Sequence, residues 1–477
     1  MSVSERPGTI AARGDPDQDA WTTLASEARA LPVEQRPRLP LGFAAGAVAA
    51  GIKPSGRPDL AVVTVTTPNP ASAAATFTRN LVQAAPVRLS RAHLAATGGG
   101  PSAASLPPQA ASLPPQAPPL HSQAASLPPH GRARAVLVTA GCANAATGPA
   151  GDADQAEIAA VLAGALGCRV EETLMASTGL IGTRLPVSRV ASGIQALVPA
   201  GLGPDDAALE AVGTAMMTTD HTLKAASVTV ELAAGSARRQ ARVTGVVKGV
   251  GMIHPGMATM IALVLTDAAV APDTLASMLR PAVALSFDQL TVDGDTSTND
   301  TVFALASGAS GTDEVQAGTD DARALAVAIA AVCRSLARQQ AADGEGATCL
   351  ITCHVSGAER LADARAISRA VVSSSLLKAA VHGRDPNWGR VAAAAGGAHR
   401  ADGSAVSLSV PSLRIALCGT PVFDGEPLAF DAAAVRAAMA MPEITIDVDL
   451  GLANAAAEAW GCDLTEAYVR ENSEYST

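Results

Sequence analysis

Aromatic side chains are almost missing from this sequence. Phe, Trp and Tyr together make up 2% of it, so a base-stacking surface is not available and the core must be assembled from small aliphatic side chains packed closely together. A basic stripe is missing too: the formal net charge is −10 and no Lys/Arg-rich segment is present to neutralise a row of phosphates, which excludes nucleic acid as a partner. No uncharged apolar run of about 18 residues occurs, and the opening MSVSERPGTIAARGDPDQDAW carries no apolar signal core. A soluble, cytoplasmic protein without a membrane partner is expected. The seven cysteines are odd in number, scattered, and contain no CxxC pair, which disfavours a disulfide framework and a zinc site and suits reduced thiols. Histidines are not spaced as metal ligands, so no metal is expected.

What is present is a chain of 477 residues, 48% hydrophobic, long enough to bury one large core or two medium ones. Residues 1–40 are polar and rich in Asp, Arg and Pro, and read as a flexible leader. From Gly42 to Pro68 the text reads as strand, Gly/Pro turn at Pro54-Ser55-Gly56, and a second, β-branched strand. Residues 96–132 change character: ASLPP occurs three times within a Pro/Ala/Ser/Gln tract, which favours extended conformations and reads as a disordered, tandem-duplicated surface insertion. Strand or loop segments are expected around Thr173–Ile181, Ser227–Leu232 and Ile261–Thr266. Helices are expected over Asp152–Leu166, Asp205–Met217, Asp273–Leu285, Asp320–Ala337 and Asp363–Lys378. Strands and helices mix without a strict βαβ rhythm, so the class is α+β rather than a doubly wound parallel sheet.

The most informative text is Lys248–Asp267, KGVGMIHPGMATMIALVLTD. Glycines and a proline make a loop, and a strongly β-forming apolar run follows it directly. A threonine at the head of such a strand, Thr259, is well placed to become a terminal nucleophile. Its hydroxyl attacks the carbonyl of Ala258, the acyl chain shifts from nitrogen to oxygen, and water releases two chains. The new α-amine, with a reference pKa of about 7.7–8, then serves as base for its own hydroxyl near neutral pH without a histidine. His221 and His254 stand near these motifs and are not needed for the chemistry.

This phrase, with GIKPSGRPDLAVV, AGCANAATG, STGLIG, MTTD, DGDTSTNDT, DGEGAT, GRDPNWGRVAAAAG and YVRENSEYST in order along the chain, closely resembles the ornithine acetyltransferase family. The resemblance covers the chain from Leu41 to Thr477 apart from the Pro-rich insertion. It implies an α/β/β/α sandwich, cut into an alpha chain (1–258) and a beta chain (259–477) that stay together as a heterotetramer of two alpha and two beta chains. It also implies transfer of acetyl from N2-acetyl-L-ornithine to L-glutamate in arginine biosynthesis, with acetyl-CoA as a second donor in some members, and no cofactor. Thr259 matches the nucleophile, and Thr178 with Gly179 the pair that stabilises the oxyanion. Thr218, Lys248, Glu345, Asn472 and Thr477 match the substrate contacts, with Lys248 facing a carboxylate and Glu345 taking up a cation. Asp385–Arg390 and Thr296–Thr301 belong to the pattern in structural or supporting roles. The sequence departs from it at Gly256, where Asn is common, at Cys349, where Lys is common, and in HTLKAAS after MTTD. These departures bear on substrate preference and turnover more than on cleavage, because Ala258-Thr259 itself is intact. An N-terminal-nucleophile amidohydrolase or aminopeptidase, or an acyltransferase for another acylated amine, is the alternative that the same nucleophile permits.

Overall fold

The computed structural model describes residues 16–98, 129–254 and 260–474. Two sheets share one core. The first runs in the order Phe43–Val48, Leu60–Val65, Ala135–Cys142, Thr173–Leu180. The second runs His130–Ala133, Ala71–Phe77, Thr301–Ala306, Ile261–Thr266, Ala237–Lys248, Lys224–Ala234. Residues of both, among them Ala61, Val63, Ala73, Leu263 and Phe303, meet in a single buried cluster.

Period-two alternation explains the layers. Along Leu60–Val65, Ala61, Val63 and Val65 point into the shared core, while Leu60 and Val62 join Ile158, Leu162, Val190 and Ile194 of the helices Gly148–Leu166 and Val187–Leu197. Along Ile261–Thr266, Ile261, Leu263 and Leu265 face the same core, and Ala262 and Val264 face the helices Pro272–Leu285 and Asp320–Ala342 through Leu279, Ile329 and Val332. The architecture is therefore helices, sheet, sheet, helices, the α/β/β/α sandwich of an α+β protein. Strands buried on both faces read as continuous apolar runs, as IALVLT does. Truncating such a side chain, for example Leu263→Ala, is expected to cost about 2–5 kcal/mol.

A third sheet, in the order Thr420–Asp424, Arg414–Leu417, Glu443–Asp449, Leu350–Ala358, Ala455–Cys462, packs against Leu361–Ser373 and Trp388–Gly396 around its own core. The single helix expected over Asp363–Lys378 is broken at Ser374, whose hydroxyl accepts from the Leu377 amide and starts a second helix, Ser375–His382. The longest helix starts in the same way: Thr319 Oγ1 accepts from the Ala322 amide, with Asp320 and Asp321 in its first turn.

Two sequence expectations are corrected. Within the expected flexible leader, Pro16–Ala30 is a helix that lies on Asp320–Ala342, with Ala28 buried in the core and Leu24, Leu31 and Val33 packed against it. Its mixed polar sequence hides a narrow apolar face. The insertion is also shorter than 96–132, because Ala85–Thr97 is helix and His130–Ala133 is an edge strand on Ala71–Phe77. Residues 99–128 lie outside the described residues. Among the described residues no helix is long and apolar enough to cross a membrane.

Candidate active site

The two central sheets bring the motif residues to one end of the sandwich. Lys248 is the last residue of its strand and pairs in register with Ile261, which pairs on its other side with Thr301. In the facing sheet Thr178 and Gly179 pair with Ala140 and Gly141. Gly179 has φ +125°, and a Cβ there would lie 2.3 Å from the Gly141 carbonyl carbon, so only glycine lets the two strands approach this closely.

A cavity of about 70 Å³ opens at this point. Its walls include Thr178, Gly179, Thr218, Lys248, Glu345 and Asn472, residues read from the sequence at widely separated positions. Thr219, Ser297, Thr298 and Asn299 complete much of the rest. Ala258, Thr259 and Thr477 lie outside the described residues.

Lys248 is buried, and its ammonium donates to Thr178 Oγ1 at 3.2 Å rather than meeting a carboxylate directly. Because that hydroxyl oxygen accepts from Lys248, its own proton is free to be donated into the cavity. Burial pushes the Lys248 ammonium below the usual lysine range, and Asp220 opposes the shift. Glu345 is also buried, with Oε1 accepting from the Thr219 hydroxyl at 2.8 Å and Oε2 from the Asn472 amide at 2.9 Å. Gly251 makes room for it, since a Cβ there would lie 2.2 Å from Glu345 Oε2.

Asp220 is the organising carboxylate that sequence reasoning missed, although it ends the MTTD motif. Its Oδ2 accepts from the Thr218 amide at 3.0 Å, and its Oδ1 accepts from the Gly249 amide at 2.7 Å and from Lys224 Nζ at 2.8 Å. Burial alone would raise its pKa, but Lys248 and Lys224 hold it down at about 2. Asn299, expected in a structural or supporting role, lines the cavity and ties its walls together, donating to the Ala143 and Ser177 carbonyls at 2.7 and 2.8 Å.

Asp300 is fully buried beneath the head of the Ile261–Thr266 strand. Its Oδ1 accepts from the Met260 amide at 2.9 Å, and the Thr301 amide donates to the Met260 carbonyl at 3.0 Å, so Met260 is held from both sides. Burial raises the Asp300 carboxyl well above the ordinary carboxylate range, and the Met260 amide and Lys248 offset this only in part.

The histidines stay outside the cavity. His221 is largely exposed, 3.7 Å from Asp343, and His254 Nδ1 lies 3.2 Å from Thr291 Oγ1. Cys349 is buried and its thiol is pushed up to about 12, mainly by burial, so it is inert. Trp388, in the GRDPNWGR motif, packs on Phe423 at 5.1 Å in the third core, away from the cavity. Among the described residues no three His, Cys, Asp or Glu side chains are grouped so as to hold a metal ion. A larger cavity, about 260 Å³, lies beneath the N-terminal helix between Trp21, Arg29 and Glu458 and contains none of the motif residues.

The family model named ArgJ matches residues 44–105 and 114–477. This chain belongs to the ArgJ family. The arginine biosynthesis bifunctional protein ArgJ of Deinococcus radiodurans is 43% identical over 92% of this chain and 97% of its own length. The protein of the same name from Thermus thermophilus is 41% identical over 92% of this chain and 99% of its own. Among solved structures, ornithine acetyltransferase complexed with ornithine from Mycobacterium tuberculosis is similar, at 32% identity over 47% of this chain and 97% of that one, with a TM-score of 0.36. The gap in the ArgJ match, residues 106–113, falls inside the Pro-rich tract.

Proposed function

We propose that this ArgJ-family chain is an N-terminal-threonine acyltransferase of arginine biosynthesis. It moves acetyl from N2-acetyl-L-ornithine to L-glutamate, giving ornithine and N-acetylglutamate, after cutting itself between Ala258 and Thr259. The observation that carries this reading is the convergence of Thr178, Gly179, Thr218, Lys248, Glu345 and Asn472 on one cavity, beside the strand that Thr259 precedes.

In the first half-reaction the Thr259 hydroxyl attacks the acetyl carbonyl carbon while its α-amine takes the hydroxyl proton. The Thr178 hydroxyl and the Gly179 amide stabilise the oxyanion, and the nearby Lys248 ammonium adds positive charge where negative charge develops. The bond from acetyl carbon to ornithine nitrogen then breaks, and that nitrogen leaves with the proton held by the α-amine. In the second half-reaction the glutamate amine attacks the acetyl ester, the carbon–oxygen bond breaks, and the Thr259 hydroxyl is regenerated. Lys248 and Thr218 serve the substrate carboxylate and Glu345 with Asn472 the ornithine ammonium, and Thr477 is a further substrate contact implied by the family resemblance.

The same reading includes an alpha chain (1–258) and a beta chain (259–477), assembled as two alpha and two beta chains, in the cytoplasm. Acetyl-CoA is a second candidate donor. The test is to feed N-acetylornithine with and without glutamate and follow ornithine and N-acetylglutamate. Stoichiometric N-acetylglutamate supports transfer, whereas ornithine release that ignores glutamate identifies a hydrolase instead.

A further inference from the structure

Lys224 lies in the HTLKAAS segment, outside the cavity lining, and is 1% exposed. A lysine is rarely buried so completely unless its charge is paired. Its ammonium meets Asp220 Oδ1 at 2.8 Å, Asp343 Oδ2 at 2.5 Å and the Thr222 carbonyl at 3.1 Å.

Each carboxylate leads to a different wall of the active site. Asp220 holds the Thr218 amide with one oxygen and the Gly249 amide, next to Lys248, with the other. Asp343 accepts from the His221 amide at 3.1 Å and the Thr222 amide at 3.3 Å, and stands two residues before Glu345 in the DGEGAT loop. One buried cation therefore joins the segments that carry Thr218, Lys248 and Glu345.

We propose that Lys224 is a positioning residue for the transfer reaction, an internal cross-link that sets the spacing between the group facing the substrate carboxylate and the group facing the substrate ammonium. The proposal rests on the acyltransferase reading, because it takes Thr218, Lys248 and Glu345 as the substrate contacts. Lys224 touches no substrate and acts through Asp220 and Asp343. Its loss lets the two carboxylates repel and the walls drift, so a two-ended amino acid no longer meets both ends of the site at once. A displacement of about 1 Å in such positioning groups is enough to cost on the order of 100-fold.

The test compares wild type with Lys224→Met and with Lys224→Met/Asp343→Asn, which restores the local charge balance without restoring the cross-link. Ornithine affinity is read by calorimetry, kcat and KM on the matured enzyme, and thermal midpoint by calorimetric scan. Both variants are expected to bind ornithine at least tenfold more weakly, with KM raised more than kcat is lowered. The double variant is expected to recover much of the thermal midpoint without recovering affinity. Wild-type affinity in either variant overturns the proposal, and so does affinity that returns in step with stability, since Lys224 would then be only a charge-balancing structural residue. Failure of both variants to fold overturns it as well. Failure of the wild type itself to bind ornithine overturns the acyltransferase reading, a result distinct from unchanged affinity in the variants.

Discussion

The Asn472 side-chain amide donates to Glu345 Oε2 at 2.9 Å, joining the C-terminal helix to the loop that carries the buried carboxylate. This contact brings the helix Glu466–Glu474 to the wall of the cavity. A hydrogen bond to a charged group contributes about 1.5–3 kcal/mol, so Asn472→Ala is expected to lower kcat/KM for N-acetylornithine roughly 10- to 100-fold. Steady-state kinetics beside a thermal scan checks this, with the thermal midpoint expected to stay near wild type.

Thr178 can offer its proton to an oxyanion because Lys248 already donates to its oxygen. Removing one such donor costs about 2.7–4 kcal/mol of barrier, or roughly 100- to 1,000-fold in kcat. Thr178→Val is expected to show that loss in kcat with a smaller change in KM. An unchanged kcat would assign oxyanion stabilisation to Gly179 and Lys248 alone.

Asp300 accepts from the Met260 amide and has a second oxygen with no hydrogen bond among the described residues. Asp300→Ala leaves the Met260 amide unpaired inside the core, at a cost of about 1–3 kcal/mol. Asp300→Asn keeps an acceptor in the same place. The alanine variant is expected to lose stability in urea unfolding and to mature slowly on a denaturing gel, and the asparagine variant to do neither to the same extent.

Asp220 gives a pH signature. Its folded pKa, about 2, lies below the ordinary 3.8, so its contribution to stability is fully present above about pH 4 and is lost as pH falls toward 2. The shift corresponds to about 2 kcal/mol. Urea midpoints measured from pH 5 down to 2.5 are expected to fall more steeply for wild type than for Asp220→Asn, and parallel curves would contradict the assignment.

Where apolar runs were long, the fold was legible. IALVLT reads as a strand with the same bounds the structure gives it, and the helix expected from Asp320 begins there. Alanine defeated the same reasoning elsewhere. Ala71–Phe77, ASAAATF, favours a helix by propensity but is a strand, because pairing with Thr301–Ala306 and burial on both faces outweigh local preference. Ala455–Cys462 is another alanine-rich strand with no clear alternation, and the third sheet went unread with it.

The family resemblance, not spacing or periodicity, points to Thr178, Lys248 and Glu345, and the structure brings all three to one cavity. Asp220 and Lys224 stand in MTTD and just after it, four residues apart, but their contacts to Gly249 and Asp343 cross long stretches of chain, so the sequence does not show what they hold together.

The central claim is a chain that cuts itself before Thr259 and then carries acetyl on that residue. Intact mass spectrometry of the purified protein beside Thr259→Ala, before and after incubation with N-acetylornithine, tests it most directly. The account predicts two chains split before Thr259 in the wild type, one uncut chain in the variant, and an added acetyl group on the smaller wild-type chain. A single uncut wild-type chain with no adduct would contradict it.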